Sequence, residues 1–191
     1  MMTMKQAGNK IILAGYRATG KSSIGRELAG RLGLDFVDMD QMLEERFGPV
    51  KDIVADKGWP FFREQEARLL EELVDKDNLV LATGGGAVMH EEAWQRLIRT
   101  GLAVWLTSDI DKICRRLTDD SVTEGQRPSL TGADVLDEVR KVLAEREPLY
   151  KKGSHITVDS NRTISEVADD IETRFRQYRK RGQFLQRTND E

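Results

Sequence analysis

Short apolar runs recur along the chain, and between them apolar residues return every three or four positions. Residues 11–14 (Ile-Ile-Leu-Ala), 34–37, 79–82 (Leu-Val-Leu-Ala) and 103–106 (Ala-Val-Trp-Leu) are runs of this kind, and 156–158 is a weaker fifth. Runs that are continuous rather than alternating mark strands covered on both faces, as in a parallel sheet. Helical spacing follows in the gaps: Ile24, Leu28 and Leu32; Phe62, Leu69, Leu70 and Leu73; Ile110, Ile113, Cys114 and Leu117; Val135, Val139, Val142 and Leu143. A last helix is predicted through Val167, Ile171 and Phe175, opened by Thr163 and Glu166 as a capping box. Strands alternating with helices predict an α/β fold, a three-layer α/β/α sandwich on a five-stranded parallel sheet with right-handed crossovers.

Two stretches depart from this rhythm. Residues 119–132 are polar, contain Gly125, Pro128 and Gly132, and are long for a connection, so they read as a mobile loop. From Arg176 onward the chain is mostly polar and is expected to fray. No repeat and no Pro- or Ser-rich linker divides the sequence, and its 191 residues fit one domain. We place that domain at residues 1–178, with a polar tail at 179–191.

Composition narrows the chemistry. With 30 basic and 33 acidic residues the net charge is −3, which excludes a broadly cationic nucleic-acid binder and an acidic disordered chain. The one cysteine, Cys114, cannot form an internal disulfide, and with only His90 and His155 a zinc site of N and S ligands is not expected. The apolar run after Lys10 is too short for a signal sequence, and nothing approaches the roughly 20 apolar residues of a membrane span. A cytoplasmic protein with no membrane or nucleic-acid partner is the expectation.

Gly15-Tyr16-Arg17-Ala18-Thr19-Gly20-Lys21-Ser22 fits G-x-x-x-x-G-K-[ST], between a predicted strand and a predicted helix. Its glycines let the backbone curl so that N–H groups point at phosphate oxygens, and the helix N-terminus adds its positive end. Lys21 is placed to reach the β- and γ-phosphates of a nucleotide, and Ser22 to ligate Mg²⁺. Many such enzymes carry an aspartate at the end of the third strand, but here 79–82 runs into Thr83-Gly84-Gly85-Gly86. The metal's carboxylate is therefore sought in Asp38 and Asp40, whose period-two spacing in an extended segment aims both at the γ-phosphate. One of them could equally cap a helix starting near Gln41. The glycine triplet lets backbone approach a ligand closely, or is merely a flexible turn.

These residues resemble those of shikimate kinases. The carriers are the phosphate loop 15–22, Asp38-Met39-Asp40, Phe62-Arg63-Glu64-Gln65-Glu66 as F-R-x-x-E, the triplet 84–86, Arg127-Pro128, and Arg146-Glu147-Pro148-Leu149-Tyr150. The resemblance spans about 11–175. It implies a P-loop NTPase fold with a lid near 117–132 and an acceptor-binding subdomain near 38–66, acting as a monomer on ATP, Mg²⁺ and shikimate. Catalysis then falls to Lys21, Asp40 and Arg127. The nucleotide is held by Gly15, Ala18, Thr19, Gly20, Lys21, Ser22, Ser23, Arg116, Arg127 and Arg162, and the metal by Ser22 with Asp38. Shikimate is held by Asp40, Arg63, Gly84, Gly85, Gly86 and Arg146. Arg63 after Phe61-Phe62, and Arg146 before Pro148-Leu149-Tyr150, suit bidentate capture of a carboxylate; a surface or structural ion pair, such as Arg63 with Glu66, is the alternative.

The sequence departs from the family's pattern in three places. Ala18 stands where glycine is usual, 49–54 lacks the S-I-x-x-I-F pattern, and Trp59 replaces a common glutamate. A kinase for another hydroxy acid such as gluconate, which also carries a carboxylate, stays open on the arginines alone. So does a nucleotide-binding switch without chemistry, although Lys21, Ser22, Asp38 and Asp40 together argue against it. Cys114 is read as core, His90 and His155 as surface or strand-edge residues, and the basic run 174–181 as a solvated helix end.

Overall fold

The computed structural model describes residues 8–119 and 134–187. Five strands, β1 (Lys10–Ala14), β2 (Asp35–Asp38), β3 (Leu79–Ala82), β4 (Leu102–Thr107) and β5 (Ile156–Asp159), form one sheet in the order β2-β3-β1-β4-β5. Every pairing is parallel, with Ile12 opposite both Leu81 and Ala103. The helices are α1 (Lys21–Leu32), α2 (Met39–Phe47), α3 (Val50–Val74), α4 (Glu91–Ile98), α5 (Ile110–Asp119) and α6 (Val135–Lys152), which lie between strands, and α7 (Ile164–Arg187), which follows β5.

The continuous apolar runs have a simple cause. Ile11 and Leu13 join Leu28, Val104, Ile171 and Phe175 in a core under α1 and α7, while Ile12 and Ala14 join Leu69, Leu81, Trp94 and Tyr150 in a core on the other face. Successive strand residues point to opposite faces, so a central strand covered on both must be apolar at every position. A third, smaller cluster of Tyr16, Ile113, Leu117, Val139 and Val142 packs α5 against α6.

Several expectations change. Lys10 belongs to β1 and is buried; its ammonium donates to Leu73 O (2.9 Å) and Val74 O (3.0 Å), the last carbonyls of α3, and to Thr100 Oγ1. Helix α3 starts well before Phe62 and bends at Gly58 (φ 78°, ψ 167°) and Pro60, a backbone break that hid its first half from periodicity. Helix α4 is short and buries Trp94, Leu97 and Ile98, too brief a stripe to stand out. Helix α7 does not end near Arg176 but continues to Arg187, with Arg174–Asp170 and Arg176–Glu172 pairs along its exposed side. The Thr163–Glu166 capping box forms, with Thr163 N donating to Glu166 Oε2 at 2.9 Å. The loop predicted at 119–132 lies, beyond Asp119, outside the described residues.

In an all-parallel sheet every strand C-terminus faces one edge. The phosphate loop after β1, Asp38 at the end of β2, and Thr83 with the glycine triplet after β3 therefore converge there.

Candidate active site

The phosphate loop is held open from behind. Thr19 Oγ1 donates to Tyr16 O (2.8 Å), Lys21 Nζ to Gly15 O (2.9 Å) and Tyr16 O (2.7 Å), and Arg116 Nη1 to Ala18 O (2.9 Å). With these carbonyls engaged, the loop's N–H groups are the dipoles left to meet an anion. Gly20 (φ 93°) caps α1 without a side chain, so no side-chain oxygen competes for the first-turn amides. Gly15 (φ 144°) is required twice: its backbone is left-handed, and a Cβ there would lie 2.6 Å from Leu106 O. Ala18 adopts φ 61°, a conformation that glycine takes without cost.

A trough of about 1240 Å³ runs over this loop, lined by Ala18, Gly20, Lys21, Ser22, Ser23, Asp38, Asp40, Thr83 and Arg116. A neighbouring cleft brings Arg116 and Arg162 together with Thr19, Gly20 and Ser23. Apart from Gly15, the predicted nucleotide residues among those described line the trough or the adjoining cleft. Arg127 lies outside the described residues.

Ser22 Oγ donates to Asp38 Oδ2 at 2.5 Å. The other oxygen of Asp38 accepts from Asp40 N (3.1 Å) and Gln41 N (3.5 Å), making Asp38 the N-cap of α2. One oxygen of Asp38 therefore caps α2, as the sequence allowed, and the other is paired with the Ser22 hydroxyl. The extended geometry expected for Asp40 is corrected: β2 stops at Asp38, because the cap turns the chain into helix, and Asp40 sits in the first turn. It still lines the trough. The hydroxyl–carboxylate pair of Ser22 and Asp38 suits a hard cation that draws its remaining ligands from phosphate and water. Among the described residues no group of three or more His, Cys, Asp or Glu side chains forms an all-protein metal cage.

Behind Asp40 lies a smaller cavity of about 440 Å³, lined by Tyr16, Arg17, Asp40, Val50, Trp59, Phe62, Arg63, Glu66, Gly85, Gly86 and Arg146. Arg63 comes from α3, Arg146 from α6, and the glycines from the loop after β3. The Arg63 guanidinium lies over the rings of Trp59 (5.3 Å) and Phe62 (5.5 Å), and its Nη1 donates to Glu66 Oε2 (2.6 Å). Arg146 is buried, and its Nη1 donates to Gly85 O (2.9 Å), which also accepts from Tyr150 Oη (2.6 Å). Burial pushes the Tyr150 phenol far above its ordinary range, so it remains a donor. The triplet is no idle turn: a Cβ on Gly84 would lie 2.5 Å from Glu66 Oε1 and 3.1 Å from Asp40 Oδ1, and one on Gly86 would overlap Arg63 Nη1.

The sequence left His90, Arg17 and Glu138 without a site role, and it offered Glu66 only as an ion-pair partner of Arg63. Glu66 is 1% exposed and accepts from both Arg63 and His90, whose Nε2 lies 3.0 Å away. His90 is consequently not a plain surface residue; the turn after the triplet carries it inward against Glu66. His155 does occupy a strand edge, its Nδ1 accepting from Ala103 N at 2.9 Å. Arg17, an unspecified position of the loop motif, pairs with Glu138 of α6, and Glu138 is 1% exposed. The available signal was a charged residue on the apolar stripe of Val135, Val139 and Val142. Cys114 packs beside the third cluster, half-buried.

The comparisons decide the family. A model of the shikimate kinase family matches residues 17–176. The chain belongs to the shikimate kinase family. A shikimate kinase of Nitratidesulfovibrio vulgaris is 39% identical over 163 residues, 85% of this chain and 93% of that protein. One of Syntrophus aciditrophicus is 37% identical, covering 94% of this chain and 98% of the relative. The solved shikimate kinase of Acinetobacter baumannii in complex with shikimate superposes with a TM-score of 0.79 at 31% identity, covering 87% of this chain and 92% of that one. Shikimate kinases use ATP as phosphoryl donor, and the trough over the P-loop is where this chain has room for it. Among the described residues no helix is long and apolar enough to cross a membrane.

Proposed function

We propose that this chain transfers the γ-phosphoryl group of ATP to the 3-hydroxyl of shikimate, giving ADP and shikimate 3-phosphate on the route to chorismate and the aromatic amino acids. The observation that carries this reading is the juxtaposition of the two spaces. A small cavity lined by Arg63 and Arg146 lies beside Asp40, which also lines the phosphate trough. Arg63 and Arg146 grip the acceptor carboxylate, and the backbone of residues 84–86 holds the ring against them. Asp40 accepts the proton of the hydroxyl that attacks.

On the nucleotide side, Lys21 leaves its loop carbonyls for the β- and γ-phosphates, while Ser22 and Asp38 would hold Mg²⁺. When bound, that ion offsets charge on the β- and γ-oxygens. Arg116 and Arg162 flank the base, and the lid residue Arg127 covers the phosphates and helps to exclude water. We take the enzyme to act as a cytoplasmic monomer.

The test is ADP release in a coupled assay with shikimate or gluconate as acceptor. Stimulation by shikimate, with gluconate near the acceptor-free background, is expected. Equal rates with both acceptors would remove the assignment.

A further inference from the structure

Among the described residues, two line both the acceptor cavity and the phosphate trough: Asp40 and Arg17. A phosphoryl group moving from one space to the other must pass between them. Asp40 has its role on the hydroxyl side. We infer that Arg17 is a catalytic cation of the same step, contacting the oxygens of the phosphoryl group in flight, and that Glu138 is the positioning residue that holds it there. The inference rests on the reading of the two spaces as shikimate and ATP sites.

The arrangement suits this purpose. A guanidinium carries five N–H donors in a planar fork. Among the described residues the Arg17 side chain has one hydrogen-bond partner, Glu138, and its Nε is buried with none. Donors are therefore left over after the anchor is made. The Arg17 side chain keeps 18% of its surface exposed where Glu138 keeps 1%, so the carboxylate is the fixed end and the guanidinium the end that faces the cavities. Glu138 stands on α6, the helix that also supplies Arg146, so one rigid element sets both the acceptor clamp and this cation. The backbone of the loop is pinned close by, with Arg17 N only 3.5 Å from where a Cβ of Gly85 would stand.

The bond changes are those of the ordinary transfer. The acceptor oxygen bonds to phosphorus as the bridging P–O bond to ADP breaks, the electron pair leaves with ADP, and the hydroxyl proton passes to Asp40. Arg17 adds positive charge where three equatorial oxygens carry negative charge through that exchange. Glu138 tempers the cation, so its effect should fall below that of an unpaired arginine at such a centre.

Arg17→Met is expected to lower kcat about 30-fold while the KM values for ATP and shikimate stay within about three-fold. Arg17→Lys, which keeps charge without the fork, should recover part of that loss. Since Arg17→Met strands a buried carboxylate, the double variant Arg17→Met/Glu138→Gln is measured alongside it. A kcat loss that persists in the double variant supports the inference. Recovery in the double variant, an unchanged kcat in Arg17→Met, or a defect confined to the KM for shikimate would each overturn it. The native enzyme's response to shikimate tests the underlying site reading separately, because the inference is judged only on variant-to-native ratios.

Discussion

The two halves of the site are built on opposite plans. The phosphate cradle is one contiguous loop that presents backbone amides together with Lys21 and Ser22, and whose side chains, Thr19 and Lys21, brace its own carbonyls. The acceptor cavity is assembled from α2, α3, the turn after β3 and α6, and its working groups are side chains held by other side chains: Arg63 by Glu66, Glu66 in turn by His90, and Arg146 by the Gly85 carbonyl shared with Tyr150. Backbone amides tolerate side-chain change around them and depend on φ and ψ. A site made of buried, mutually paired side chains fails when one partner is removed. Substitutions in the two regions should therefore differ in kind as well as in size.

The largest effect is expected where the halves meet. Asp40→Asn keeps the shape of the α2 first turn but removes the proton acceptor, so kcat should fall by about 10² to 10⁴ while ATP binding is retained. Steady-state kinetics with nucleotide binding measured by titration checks this, and near-normal turnover would show that Asp40 only orients the acceptor. Next comes Arg63→Ala, which removes a charge-assisted contact to the carboxylate and leaves Glu66 buried with one partner fewer. About 1.5 to 3 kcal/mol of acceptor binding should be lost, or a rise of roughly 10- to 100-fold in the KM for shikimate with little change in that for ATP. A defect confined to ATP would erase the contrast drawn between the two halves.

That contrast also explains what could be read in advance. The sheet, the loop and its helix were legible because their signals are local: apolar runs at 11–14, 79–82 and 103–106, a contiguous motif, and a period change after Gly20. The extended backbone expected at Asp40 gives way to a helical turn because the Asp38 carboxylate caps α2 there, yet Asp40 lines the trough beside Asp38 as expected. Arg63 and Arg146 emerged through family resemblance more than through pattern, since nothing local in the sequence brings α3 and α6 together. His90, Glu138 and Arg17 went unassigned for the same reason. Each acquires meaning from a partner far away in the chain, across 121 positions in the case of Arg17 and Glu138.

The smallest effect tests the backbone half alone. Ala18 holds φ 61° in the cradle, at the position where the family pattern has glycine. A left-handed alanine costs about 1–2 kcal/mol relative to its favoured conformation. Ala18→Gly removes that cost, but the freer unfolded chain gives back about 0.4–1 kcal/mol, and the methyl group's packing beside the third cluster is lost. A net gain of about 0.5 kcal/mol remains, which for a chain of this size raises Tm by roughly 1–2 °C. Thermal unfolding of the two proteins side by side measures it. A lower Tm for Ala18→Gly would mean that methyl packing outweighs the strain, so that even the cradle leans on a side chain and the division between a backbone-built and a side-chain-built half does not hold.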